Sequence, residues 1–362
     1  MGSKVKIMLL TIKMSGKKLR EIEEFVQRGD VDSVHDFVRY AIQNQLQLEK
    51  ERVDTKGTDA YDLLKTSTEI IPDEKSTSTL HLGRIEPKNK IDLPPVEINK
   101  FISLDASKLK ERTKKPIWAL KNKYFPLKFV LRVIQNEISR TDEGRISINL
   151  LKDNIRGLTF SMRSQMEFLD KKMENKRGEK FATGFSADDA NSFERFFKNF
   201  VIYVSPDENT IKGMPYELGF IDVMDGEILL TEDGNNFASL FSPILDSYIP
   251  EKEMPKHQFS DEELNFLYEH IRQKAFSEAI LYRFMLSQIE KGINAPEELN
   301  NTFRSFLDDK FPKEEGYSVK TASSIRAGVT SRMVELKLIK IEKIGGKSFY
   351  KINEGSKSFM EE

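Results

Sequence analysis

The side chains in this sequence best suited to chemistry are its cations, and they are unevenly spread. Between Val319 and Lys351 stand Lys320, Arg326, Arg332, Lys337, Lys340, Lys343, Lys347 and Lys351, opposed only by Glu335 and Glu342. Between Asp105 and Arg132 basic residues again outnumber the acids, here Asp105 and Glu111. A whole-chain net charge of −1 hides both clusters, and local excess of this kind is what holds phosphate groups. Bond-breaking chemistry has less to work with. His35, His81, His257 and His270 have neither cysteine partners nor close histidine spacing, so no zinc site is expected. No phosphate-cradling glycine loop, dinucleotide glycine triplet or Gly-x-Ser-x-Gly elbow occurs. Asp222, Asp225 and Glu227 surround a turn, where aspartate serves turn geometry alone. Glu174-Asn-Lys176 is a commonplace helical triplet, short of the carboxylate cluster a metal nuclease needs. The expectation is a binding protein rather than an enzyme, with no catalytic residue, cofactor or metal.

The elements that must position the cations follow from the pattern around them. Lys320 to Leu336 reads as a helix with Ile325, Val329, Met333 and Leu336 inward and Arg326, Thr330 and Lys337 on other faces. Two alternating strands follow between Leu338 and Ile352, and the Gly345-Gly346 dipeptide between them is a strong hairpin signal. Upstream, Ser260 with Glu263 forms a capping box, and helices begin near Asp261, Phe276 and Pro296. Helix then basic hairpin resembles a winged helix-turn-helix. The resemblance implies a recognition helix over Lys320–Leu336, with Lys320, Arg326 and Arg332 toward DNA bases or phosphates and Lys343 and Lys347 on the wing. A second such pattern lies earlier. Two strands between Leu218 and Leu230 flank an Asp225-Gly226 turn, and Thr231 caps the next helix. This resembles the wing and exit helix of winged-helix regulators.

A different grammar occupies Lys4 to Lys50. Val5 to Met14 reads as a strand, with Leu10, Ile12 and Met14 on one face and Leu9, Thr11 and Lys13 on the other. Ser15 is an N-cap, Leu19, Ile22, Phe25 and Val26 follow at helical spacing, and Gly29 ends that helix. Ser33 opens a second helix, whose apolar face is Val34, Phe37, Val38, Ala41, Ile42 and Leu46. A lone strand leaves its backbone groups unpaired, and antiparallel pairing of two copies is the economical solution. The stretch resembles the ribbon-helix-helix superfamily of DNA-binding proteins. That resemblance implies a homodimer whose two-stranded ribbon enters the major groove, with Leu9, Thr11 and Lys13 at base edges. Lys13 would donate to guanine, Thr11 would donate or accept, and Leu9 would touch a thymine methyl or pack. The start of the second helix, at Ser33, Val34 and His35, would hold a backbone phosphate.

From Glu51 to Pro116 apolar residues become sparse, as in DEKSTSTLHLGRIEPKNKIDLPP, and this reads as a flexible linker. Its reach is roughly 40–50 Å. Order resumes with a buried helix over Phe125–Ile138, a short strand at Ile146–Ile148, helices over Asn149–Ile155 and Ser161–Asn175, and a helix over Ala187–Tyr203 whose phenylalanines are core. The expected class is mainly α with short β elements (α+β). The expected domains are a ribbon-helix-helix at 1–50, a linker at 51–116, a winged-helix-like domain at 117–250 and a winged helix-turn-helix at 259–356. No apolar run approaches the ~18–20 residues that span a bilayer, the apolar Ile7–Ile12 is too short for a secretory leader, and zero cysteines exclude disulfides. The expected setting is cytoplasmic and nucleoid-associated. The function these readings imply is a dimeric, sequence-specific transcriptional regulator of double-stranded DNA. The alternative is a DNA-anchored scaffold of a partition or defence complex, with residues 117–356 binding a protein partner.

Overall fold

The structure, a computed structural model, describes residues 91, 93–176, 179–205, 210–246, 255 and 257–359. All of them fall within one unit, Leu82–Glu362. The ribbon-helix-helix segment, with Leu9, Thr11, Lys13, Ser33, Val34 and His35, lies outside the described residues, as does the linker up to residue 90. What is described is mainly helical with small antiparallel sheets, an α+β arrangement.

Helix α1 (Ala106–Arg112) is capped by Asp105, whose carboxylate accepts from the Ser107 amide. Helix α2 (Phe125–Ile138) is buried on nearly all sides: one face is apolar, and on the other Lys128, Arg132 and Gln135 are covered, each with polar partners. Strand β1 (Ile146–Ser147) leads into α3 (Ile148–Lys172), capped by Ser147. The sequence pattern divides α3 into two helices, but the chain runs through as one. Gly157, the weak point, stands exposed with nothing within 4 Å of where its side chain would be, so the helix meets no obstacle there. Helix α4 (Ala190–Phe196) continues into a π-helical turn, Phe197–Val201, and Phe193, Phe196, Phe197 and Phe200 are all buried as the aromatic spacing predicts.

Strands β2 (Tyr203–Val204) and β3 (Ile211–Lys212) form a small pair, followed by α5 (Met214–Glu217). Strands β4 (Ile221–Met224) and β5 (Glu227–Leu230) pair across Asp225-Gly226, both at positive φ, 52° and 78°. That is the geometry a tight hairpin turn requires. Strand β1 adds to β5, giving the order β1-β5-β4. Thr231 then caps α6 (Glu232–Ser239) by accepting from the Gly234 amide at 3.1 Å.

Helix α7 (Asp261–Lys274) begins with both halves of the capping box in place, Ser260 Oγ on the Glu263 amide and Glu263 on the Ser260 amide. Helices α8 (Phe276–Glu290), α9 (Pro296–Lys310) and α10 (Val319–Glu335) follow, then hairpin β6 (Ile339–Ile344) and β7 (Lys347–Ile352) and a 3₁₀ turn, Glu354–Phe359.

Two features depart from the pattern of separate modules on a tether. Residues 93–116, sparse in apolar side chains, nevertheless run along the folded unit. The Leu93 amide donates to Leu245 O at 3.1 Å, Ile102 exchanges bonds with Leu230 and Glu232, and Leu109 is buried. Backbone pairing holds this segment together with a few side chains, the buried Leu109 and also Arg112, which pairs with Asp222 and donates to Ile221 O at 3.0 Å. The two expected modules also share one core, stitched by buried ions. Lys128 of α2 reaches Glu263 of α7 at 3.0 Å and donates to three carbonyls at the end of α6. Glu335, the last residue of α10, accepts the Tyr124 and Phe125 amides and so caps α2, which has no side-chain cap of its own.

Candidate nucleic-acid interface

The expected DNA-facing cations of the C-terminal region are divided by the fold into two groups. Arg332 is fully buried. Its guanidinium grips Glu278 of α8 through two bonds of 2.8 Å and donates to Lys121 O at 2.6 Å. Tyr124 and Tyr282, hydroxyls 2.7 Å apart, close the same network, and burial raises both phenols well above their ordinary range. Arg326 is also buried, donating to Asn300 Oδ1 at 2.7 Å and to the Tyr350 hydroxyl at 3.0 Å. Neither arginine is placed to meet a base or phosphate. The reason is packing: α10 is buried on most of its circumference, so positions that an amphipathic reading gives to the polar face are inside. Thr330, expected on another face, is buried as well.

The second group is exposed. Lys320 stands in the first turn of α10, beyond the Ser318 cap whose hydroxyl accepts from Thr321 at 3.1 Å. Free amides and the helix dipole at this end favour an anion, and a lysine there adds a full charge. Lys343 and Lys347 are exposed near the Gly345-Gly346 tip, where φ values of 57° and 80° make the turn. They occupy opposite faces of the hairpin. Ile344 pairs with Lys347 and Lys343 with Ser348, and cross-strand partners share a face. Lys347 therefore stands with Lys340 and Lys351, which pair directly across the strands and are exposed too.

Like charges placed opposite each other repel, and Glu342 lies between these two, 3.1 Å from Lys340 Nζ and 3.6 Å from Lys351 Nζ. The hydrogen bond from Lys340 holds the Glu342 carboxyl below its ordinary range. Lys340 and Lys351 belong to the charge run visible in the sequence. What singles them out is strand register, which the Gly-Gly dipeptide fixes.

The basic excess over 105–132 is partly internal. Lys121 is buried against Glu217, Lys128 against Glu263 and Arg132 against Asp246, the last at 2.6 Å. Burial pushes Lys121 down, and pushes Lys128 down to about 8. Lys108, Lys110, Lys114 and Lys115 remain exposed. Among the described residues no group of three carboxylates or histidines could hold a metal ion, and no helix is long and apolar enough to cross a membrane. Compared with known protein families, curated proteins and solved structures, the chain matches none.

Proposed function

We propose that this chain is a sequence-specific DNA-binding regulator that acts as a homodimer. A ribbon built from residues 5–14 of two copies reads the site through Leu9, Thr11 and Lys13, Ser33, Val34 and His35 hold a phosphate, and the later region adds contacts. The observation that carries the proposal is the exposed basic surface of the C-terminal helix and hairpin. Lys320, Lys340, Lys343, Lys347 and Lys351 face solvent, and Glu342 is the one acid on the hairpin. Helix, helix, then a two-stranded wing is the winged-helix order. The Tyr350 amide bonded to Asn294 O at 2.9 Å supplies the short extra strand contact of that arrangement, and the β1-β5-β4 sheet supports a second copy of it. Without Arg326 and Arg332, the hairpin and the N-terminal turn of α10 carry the C-terminal contacts.

Selection of bound sequences from random duplex DNA tests the reading. The full chain should enrich a site with two-fold or tandem symmetry. Lys13→Ala should relax one guanine position and weaken binding by about 1–3 kcal/mol. Failure to enrich any sequence refutes it.

A second reading has one observation in its favour. Ile341 and Ile344 are exposed on the same hairpin, Ile344 at 63%, and apolar side chains there suit a protein partner in a partition or defence scaffold. A stoichiometric protein partner together with no DNA affinity would favour it.

A further inference from the structure

We infer that the turn at Trp118–Lys121 is a further duplex-DNA contact, an apolar wedge set beside α10. The inference rests on the DNA-binding reading and adds to it a surface that neither the helix nor the hairpin supplies. The turn closes with the Lys121 amide donating to Trp118 O at 3.0 Å. Turns are ordinarily built from Gly, Pro, Asn, Asp and Ser, whereas this one is Trp-Ala-Leu-Lys. Trp118, the chain's single tryptophan, is 45% exposed, and Leu120 is 56% exposed. Folding gives no reason for two large apolar side chains at a solvent-facing turn.

The turn and the residues before it are also tied to α8 and α10. Ser277 of α8 donates its amide to Thr113 O at 3.1 Å and its hydroxyl to Lys115 O at 2.9 Å, and Arg332 donates to Lys121 O. The Ala119 backbone lies on Gly328 of α10 so closely that a side-chain carbon at 328 would come within 2.9 Å of it. Ala119 meets residue 328, Lys121 meets 332, and Tyr124 meets 335, so the segment runs parallel to α10. That order sets Trp118 level with the half of α10 in which Ala327 and Lys320 are exposed.

The charge nearby selects the occupant. Lys115 is exposed just before the turn; Lys114 beside it is paired with Glu111, and Asp105, the other acid of this stretch, caps α1. A phosphate finds the Lys115 cation there, and an indole and an isobutyl group beside it are the parts of a wedge that enters between base steps or against the sugar edge. The Arg332–Glu278 pair, useless for direct contact, would then act by fixing the height of this turn over α10.

The single tryptophan makes the test direct. The full chain is titrated with labelled duplex DNA of the selected sequence, following DNA anisotropy and tryptophan emission together, and Trp118→Ala and Leu120→Ala are titrated alongside. The inference expects emission to change and saturate with the anisotropy, and each variant to bind roughly tenfold or more weakly with unaltered thermal melting. Anisotropy that rises without any emission change, with both variants binding as the parent does, overturns the wedge and leaves the regulator reading standing. A tryptophan response to a protein partner but not to DNA overturns the wedge as well. No anisotropy change at all overturns the DNA-binding reading itself.

Discussion

At the scale of single residues, buried charge decides which side chains remain available for binding. His270 shows how firmly the interior fixes a titratable group. Its Nε2 lies 2.8 Å from Leu218 O and so carries the proton, its ring stacks on Phe220 with centroids 4.3 Å apart, and burial lowers its pKa to about 4. The unfolded chain takes up a proton near pH 6.5 that the folded state refuses until about 4. Stability is therefore full above pH 6.5 and declines as pH falls toward 4, by on the order of 3 kcal/mol from this residue. His257, lowered to about 4 by burial, acts in the same direction. Urea midpoints at pH 7 and pH 4.5 check this: His270→Gln should lose less stability over that interval than the parent does. An equal loss would assign the pH dependence to other groups.

At the scale of elements, the local rules written in the sequence are well kept. The reciprocal Ser260–Glu263 cap, the Thr231 cap, the buried helix over Phe125–Ile138 and both hairpins occur where the residues predict them. The caps and turn dipeptides depend on neighbours within four residues, and the helix and strands on the spacing within their own run, which is why they are legible. The burial of Arg332 and Arg326 is not. Their partners Glu278, Asn300 and Tyr350 are 54, 26 and 24 residues away, and a cation on a helix gives no sign of which face will be covered. The tie between α8 and α10 has a measurable consequence. Arg332→Met leaves Glu278 buried without a partner and should cost roughly 3–5 kcal/mol in urea unfolding, while Arg332→Met with Glu278→Leu should recover much of the loss. A single variant within about 1 kcal/mol of the parent would contradict the placement of this pair.

At the scale of the whole molecule, the pattern of apolar residues gives the helices but not their assembly. Residues 93–116 look like tether because their order comes from backbone bonds to Leu230, Glu232 and Leu245 and from the Arg112–Asp222 ion pair, all distant in sequence. The two C-terminal modules look separable because Lys128, Glu263 and Glu335, which join them, read as surface charge in one dimension. Of the proposed binding surface, the hairpin lysines are legible from charge and the Gly345-Gly346 turn, and the face each one takes is set by register. Under the proposed function, solvent-facing lysines of the C-terminal unit displace counterions from duplex DNA.

The most direct test is the salt dependence of duplex binding by the full chain, compared with a Lys320→Ala, Lys343→Ala, Lys347→Ala triple variant. Each phosphate contact contributes about −0.9 to the slope of log K against log salt. The account predicts a steep slope for the parent and one shallower by roughly 2–3 for the triple variant, with binding weakened about equally on all sequences. Identical slopes for the two proteins, or binding indifferent to salt, would contradict it.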